Sequence, residues 1–227
     1  MIRAVIFDLD NTLLDFIKMK QSATAAAVDA MIEAGLDVDP TDAYDNIISL
    51  YESKGWENQE VFNEFLREKT GSVDYKYLAA GIVAYRRARE ASLLLYPNVQ
   101  RTLVELAKMS IKLVIISDAP SREAWLRIYY LNLHHLFDLV LTFDDVGEKK
   151  PSSKGFELAL EKLDLTPEEV LMVGDWPERD MVGASKLGIR TVYAKYGNTF
   201  GRGKSGANWD VVNIYQVVEI VKTLNAA

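Results

Sequence analysis

The sequence predicts a doubly wound, Rossmann-like α/β fold: a parallel sheet core with an inserted helical subdomain. Five short apolar runs, mostly rich in β-branched residues, have the composition of buried parallel strands. Segments with helical periodicity separate the later runs, as expected of a sheet covered by helices on both faces. A long strand-free stretch after the first run breaks this alternation and predicts the inserted subdomain.

Four of the five predicted strands are continuous, β-branched segments rather than alternating ones, which indicates burial on both faces. They lie at residues 4–7, 112–116, 139–143, 170–174 and 190–194. Between them, residues 98–109 place Val99, Leu103 and Leu106 on one helical stripe. Residues 153–165 repeat the pattern and predict a second amphipathic helix.

The strand-free stretch predicts four helices, at residues 18–36, 41–55, 58–71 and 75–95. Thr41 or Asp42 is available as the N-cap of the second helix, and Gly55 as its end. We therefore predict a helical subdomain over residues 16–94 and a core formed by residues 1–15 and 95–227. Residues 197–209, rich in glycine, are interpreted as a surface loop.

Composition limits the classes of function. The formal net charge of −7 argues against broad nucleic-acid binding, which usually needs a basic face. With no cysteine, the chain has no disulfide, thiolate metal site or cysteine nucleophile. The sequence shows no signal-peptide pattern and no apolar run long enough for a membrane helix. We expect a soluble, cytoplasmic protein, with monomer and homodimer both open.

Acidic and polar residues follow the predicted strands where each one ends. The first strand leads to Asp8 and Asp10, and later ones lead to Ser117, Asp118, Asp175 and Asp180, with Lys150 ahead of a predicted helix. In a parallel sheet these side chains converge on one edge, where α/β folds bind ligands. Oxygen ligands of this kind suit a hard divalent cation such as Mg²⁺, while a lysine can neutralise a phosphoryl group.

Four motifs in this order and spacing resemble those of the haloacid dehalogenase superfamily. They are "DLDNT" (8–12), "IISD" (115–118), "KKP" (149–151) and "GDWPERD" (174–180). The resemblance spans the whole chain, and the helical insertion is similar to the small cap domain of that superfamily. It implies a phosphatase-like hydrolase, specifically a phosphoric monoester hydrolase, with Mg²⁺ as cofactor and a small phosphorylated substrate.

The resemblance also implies roles for the residues of the first motif. Asp8 would be the nucleophile that forms an aspartyl phosphate. Asp10 would protonate the leaving oxygen and then take a proton from the attacking water. Thr12 would support the loop that carries them. Since the dehalogenases of the superfamily lack the second aspartate, Asp10 favours phosphoryl transfer over dehalogenation.

The other three motifs would supply the phosphate-binding and metal-binding groups. Ser117 and Lys150 would hold the phosphoryl oxygens, and Asp118 would join them or act only in its own loop. Mg²⁺ would be bound by Asp8, by the carbonyl of Asp10 and by Asp175. Asp180 would orient metal-bound water.

Three alternatives remain open at this point. A sugar-phosphate mutase would keep the same residues but return the phosphoryl group to substrate rather than to water. A signalling receiver module also combines aspartates, a hydroxyl and a lysine, but such modules are about half this length and lack a helical insertion. A non-catalytic protein that binds phosphorylated ligands would share the fold without the activity.

Overall fold

The computed structural model of the chain describes residues 1–198 and 204–226. It divides into two compact units. The core unit comprises residues 1–15 and 94–227, and the helical unit comprises residues 16–93. Residues 199–203 of the loop predicted at 197–209 lie outside the described residues. Nowhere in the described ranges does a helix have both the length and the hydrophobicity of a membrane span.

The core unit is built on a six-stranded parallel sheet with the order β3-β2-β1-β4-β5-β6. The strands are β1 (Ala4–Phe7), β2 (Lys112–Ile116), β3 (Leu139–Leu141), β4 (Val170–Gly174), β5 (Arg190–Ala194) and β6 (Trp209–Val211). The predicted α/β fold is confirmed. The strand predicted at 139–143 ends earlier, because Thr142 begins a capping box for a short helix. β6 was not predicted.

The helical unit contains four helices: α1 (Phe16–Glu33), α2 (Pro40–Lys54), α3 (Val61–Thr70) and α4 (Tyr75–Ala91). Their apolar faces bury one cluster, in which Met31, Ile47 and Phe65 are fully inaccessible. The N-cap of α2 is Asp39 rather than the predicted Thr41 or Asp42. Its side chain accepts hydrogen bonds from the backbone N–H groups of both those residues.

Six further α-helices lie in the described part of the core unit. They are α5 (Val99–Lys108), α6 (Ser121–Tyr130), α7 (Phe143–Val146), α8 (Lys154–Leu163), α9 (Val182–Ser185) and α10 (Gln216–Ala226). Phe156 of α8 packs with Ile6, Met172 and other strand residues in one fully buried cluster. Burial of all four β1 residues explains why that strand reads as a continuous apolar run.

Candidate active site

The candidate site lies at the carboxyl end of β1, where the order of the strands reverses. β1 pairs with β2 on one side and with β4 on the other, so chain connections leave this point in opposite directions. Such a switch point is where open α/β sheets bind ligands. The backbone N–H of Asp8 donates to the carbonyl of Val173 at 2.9 Å, so the pairing with β4 continues to the first carboxylate.

Asp8 lies in a buried ion-pair network centred on Lys150. The Lys150 ammonium is 2.5 Å from Asp8 Oδ1 and 2.7 Å from Asp180 Oδ1, and it also donates to the Ile116 carbonyl at 3.1 Å. All three charged side chains are buried. One ammonium therefore faces two carboxyl groups.

Asp175 adds a third carboxylate beside Asp8. One oxygen from each of Asp8, Asp175 and Asp180 lies within 4.8 Å of the others, and all three residues are buried. The hydroxyl of Thr12 is 3.3 Å from Asp8 Oδ2 and 3.4 Å from Asp175 Oδ1, so it bridges two of the acids. The oxygens of these three buried carboxylates are donors that suit a hard divalent cation, and one ammonium lies among them.

The turn after β4 fixes the position of Asp180. Pro177–Met181 form a single π-helical turn, a feature that often occurs at functional sites. Asp180 Oδ2 accepts a hydrogen bond from the backbone N–H of Trp176 at 3.0 Å. A Cβ atom at Gly174 would lie 2.3 Å from the same oxygen, so this turn can approach the strand only because residue 174 is glycine.

Burial changes the protonation of the network. Removal from water is the largest influence and raises the pKa of Asp8 to about 7, although Lys150 acts in the opposite direction. Burial alone would lower the pKa of Lys150, but Asp180 and Asp8 together raise it, so the ammonium stays charged. A cation placed among the three carboxylates would favour the ionised form of Asp8.

Asp10 is paired with an arginine. Its Oδ2 accepts a hydrogen bond from Nη1 of Arg127 at 2.7 Å. Arg127 belongs to α6, and 7% of its side chain is exposed, against 23% for Asp10. The two aspartates of the first motif therefore have different environments, one within the carboxylate cluster and one beside a guanidinium.

The second and third motifs meet in backbone contacts. Ser117 is buried, and its Oγ accepts from the N–H of Ala119 at 3.2 Å. Asp118 Oδ1 accepts from the backbone N–H of Lys150 at 2.9 Å, and Oδ2 lies 3.4 Å from Nη1 of Arg179. In this structure Asp118 thus links the loop after β2 to the segment that carries Lys150.

Sequence reasoning missed two residues that touch this site. Arg127 lies 117 positions from Asp10, and nothing in the local pattern of α6 indicates its partner. The hydroxyl of Tyr196 donates to the Thr12 carbonyl at 2.8 Å and so supports the first loop from the end of β5. Neither contact has a signal in sequence spacing.

A buried carboxylate at the switch point, an adjacent cluster of acids and a paired lysine characterise an α/β protein with a site suited to a phosphorylated ligand. A family model described as haloacid dehalogenase-like hydrolase matches residues 2–188. The chain therefore belongs to the haloacid dehalogenase-like hydrolase family.

Individual relatives agree with this assignment. The chain is 31% identical over 227 residues to a glyceraldehyde 3-phosphate phosphatase of Methanocaldococcus jannaschii, covering 99% of each chain. It is 32% identical over 229 residues to the protein of the same name from Pyrococcus furiosus, covering 100% of this chain and 95% of that one. A haloacid dehalogenase-type phosphatase structure from Thermococcus onnurineus superposes with a TM-score of 0.72 at 25% identity, covering 97% and 98%.

Proposed function

We propose that the protein is a Mg²⁺-dependent phosphatase that hydrolyses a small phosphorylated metabolite through a phosphoryl intermediate on Asp8. The single observation that supports this best is the buried Asp8–Lys150–Asp180 network beside Asp175. It provides a nucleophilic oxygen, a cation for the phosphoryl oxygens and carboxylates for a metal, all at the same edge of the sheet.

In the first half-reaction, a carboxylate oxygen of Asp8 forms a bond to phosphorus as the bond to the ester oxygen breaks. The departing oxygen takes a proton from Asp10 and leaves as an alcohol. In the second half-reaction, water attacks the same phosphorus and Asp10 accepts its proton. The bond to Asp8 then breaks, which returns the Asp8 carboxylate and releases inorganic phosphate.

The carboxylate cluster suits a metal. Asp8 and Asp175 would hold Mg²⁺ together with the carbonyl of Asp10, and Asp180 lies close enough to the same oxygens to take part. When bound, Mg²⁺ supplies charge stabilisation for the phosphoryl oxygens. Removal of the metal should therefore abolish turnover.

The remaining residues would bind the phosphoryl oxygens or orient other side chains of the site. Lys150 would exchange part of its contact with Asp8 for a phosphoryl oxygen, since its ammonium already lies 2.5 Å from the nucleophile. Ser117 would donate its hydroxyl to another phosphoryl oxygen. The contacts of Asp118 with Lys150 and Arg179 favour an orienting role over direct phosphate binding. Thr12 would hold the Asp8 and Asp175 carboxylates in place.

Glyceraldehyde 3-phosphate is the first substrate to test, because relatives that match nearly all of the chain carry that activity in their names. Phosphoryl transfer back to substrate, as in a mutase, uses the same residues but has weaker support, since those relatives are phosphatases. A protein that only binds phosphorylated ligands would not require Asp10 or a separate proton route.

The test is release of inorganic phosphate from p-nitrophenyl phosphate and from glyceraldehyde 3-phosphate, with Mg²⁺ and with EDTA. We expect Mg²⁺-dependent turnover that is lost in Asp8→Asn and retained in Asp45→Asn, which changes an exposed carboxylate of the helical unit. Turnover that persists in Asp8→Asn would contradict the proposal. Isomerised phosphorylated product without phosphate release would favour the mutase.

A further inference from the structure

Arg127 is a buried cation that the reaction proposed above does not use. Its guanidinium donates to Asp10 Oδ2 at 2.7 Å, and 7% of its side chain is exposed. A buried arginine is normally paired with an anion, and the anion here is Asp10. The position of Asp10 indicates which part of a substrate lies near the guanidinium.

Asp10 marks the leaving-group side of the site. In the proposed reaction its carboxyl contacts the ester oxygen of the substrate, and Arg127 is one hydrogen bond away from that carboxyl. Substituents on the first or second carbon of the leaving group would extend from the ester oxygen into this neighbourhood. A guanidinium carries five N–H donors in a planar fork, so a bond to Asp10 is compatible with a bond to a substrate oxygen.

We propose that Arg127 is a specificity-determining residue that binds an oxygen substituent close to the ester bond of the substrate. The inference rests on the proposed function, because it takes the role of Asp10 from it. The preferred substituent is a carboxylate, since charge-assisted bonds to arginine are about twice as strong as neutral ones. A carbonyl or hydroxyl oxygen on the same carbons is bound more weakly.

The local structure of α6 supports a fixed guanidinium rather than a mobile surface arginine. Glu123 and Arg127 stand four positions apart and are both buried, so one polar stripe of this helix faces inward. Ala124 and Ile128 are fully inaccessible beside that stripe. Because the guanidinium is buried and bonded to Asp10, it is held in one place and loses little freedom on binding.

The main experiment compares kcat/KM for three substrates in the wild type and in Arg127→Met, with Arg127→Lys as the charge-conserving variant. 2-Phosphoglycolate offers a carboxylate, glyceraldehyde 3-phosphate offers neutral oxygens, and propyl phosphate offers neither. We expect Arg127→Met to reduce the preference for 2-phosphoglycolate over propyl phosphate by about tenfold or more, mainly through KM. The preference for glyceraldehyde 3-phosphate should fall less, and Arg127→Lys should recover part of the loss.

Arg122→Met is the matched control, because Arg122 lies on the same helix with 72% of its side chain exposed. This variant should leave all substrate preferences unchanged. An equal fall on all three substrates in Arg127→Met would overturn the proposal and leave Arg127 as a residue that only orients Asp10. A wild type that does not favour the oxygen-bearing substrates over propyl phosphate would also overturn it.

A second measurement uses only the wild-type protein and does not depend on the folding of a variant or on turnover. Calorimetry in excess Mg²⁺ would compare binding of phosphonoacetate, which carries a carboxylate, with binding of ethylphosphonate. We expect phosphonoacetate to bind about tenfold tighter or more, and equal affinities would overturn the proposal. Tighter binding of phosphonoacetate without hydrolysis of any substrate would contradict the proposed function, whereas equal binding beside measurable turnover would contradict only the role of Arg127.

Discussion

Asp8 combines two properties that oppose each other: it is buried, and its chemistry requires a free carboxylate oxygen. Burial raises its pKa to about 7, against 3.8 for the exposed group. A carboxyl whose folded pKa exceeds its unfolded value binds more protons when folded. The protonated Asp8 carboxyl therefore contributes to stability at pH values below its unfolded pKa. This contribution is lost as the pH rises through about 7, its pKa in the folded protein.

The upward shift of the Asp8 pKa on folding gives a prediction for the metal-free protein. In EDTA, the free energy of unfolding of Asp8→Asn relative to wild type should increase between pH 5 and pH 7.5, because the variant avoids a buried anion. Urea titration at several pH values measures the difference. Asp45→Asn, at an exposed site, should run parallel to the wild type. A pH-independent gap between Asp8→Asn and wild type would contradict the prediction.

Substitution of Gly174 tests whether the site requires the close approach of the Pro177–Met181 turn to the end of β4. In Gly174→Ala, the added Cβ would lie 2.3 Å from Asp180 Oδ2 and 2.4 Å from its Cγ, so Asp180 must move away from Lys150 and Trp176. We expect unfolding free energy to fall by about 1–3 kcal/mol, the usual cost of overpacking. Turnover should also fall, because Asp180 leaves the carboxylate cluster.

Gly81→Ala is the control for that substitution. Its Cβ would meet the side chain of Met31 at 3.1 Å, and a thioether can adjust where a turn held by a buried ion pair cannot. Gly81 lies within α4, where alanine is the better helix former. Urea unfolding should therefore show little or no loss of stability. Comparable losses of unfolding free energy in Gly174→Ala and Gly81→Ala would contradict the requirement for glycine at position 174.

At the scale of elements, α2 depends on its N-cap. Asp39 accepts hydrogen bonds from the N–H groups of Thr41 and Asp42 at 2.9 and 3.0 Å, and Pro40 begins the helix. Asp39→Ala should lower the free energy of unfolding by about 1 kcal/mol. Asp37→Ala, two positions earlier at another exposed aspartate, should have no comparable effect in the same urea titration.

The same element shows why the sequence predicted segments better than boundaries. Aspartate followed by proline at the first helical position is a start signal, and it was available in "DPTD". Thr41 and Asp42 are also good caps, and only the backbone geometry distinguishes them from Asp39. β1, β2, β4 and β5 were predicted at their observed bounds because nearly all of their residues are buried and most are apolar, although β2 begins with exposed Lys112 and β5 with half-buried Arg190.

Prediction from sequence failed where an element is short or carries buried charge. β6 has three residues, one of them the exposed Asp210, which is too few to show a period. In α6, buried Glu123 and Arg127 interrupt the apolar stripe that would reveal the helix. The acids of the site could be predicted because they follow recognisable strands. The Asp10–Arg127 pair could not, because a contact between residues 117 positions apart exists only in the folded chain.

At the scale of the whole molecule, the carboxylate cluster adds buried negative charge to a chain whose formal net charge is −7. A cation that binds only the folded state relieves this repulsion and stabilises the fold by mass action. If Mg²⁺ binds as proposed, the thermal midpoint of the wild type should rise with its concentration. The gain should reach about 2.7 kcal/mol when Mg²⁺ exceeds its dissociation constant a hundredfold.

Substitution separates site binding from a general effect of salt. Asp175→Asn removes one oxygen anion from the cluster, so its thermal midpoint should respond little to Mg²⁺. Asp29→Asn changes an exposed carboxylate of the helical unit and should respond like the wild type. Differential scanning calorimetry at constant ionic strength makes the comparison. Equal stabilisation of all three proteins would show that Mg²⁺ acts through general screening, and the cluster would then have no part in binding it.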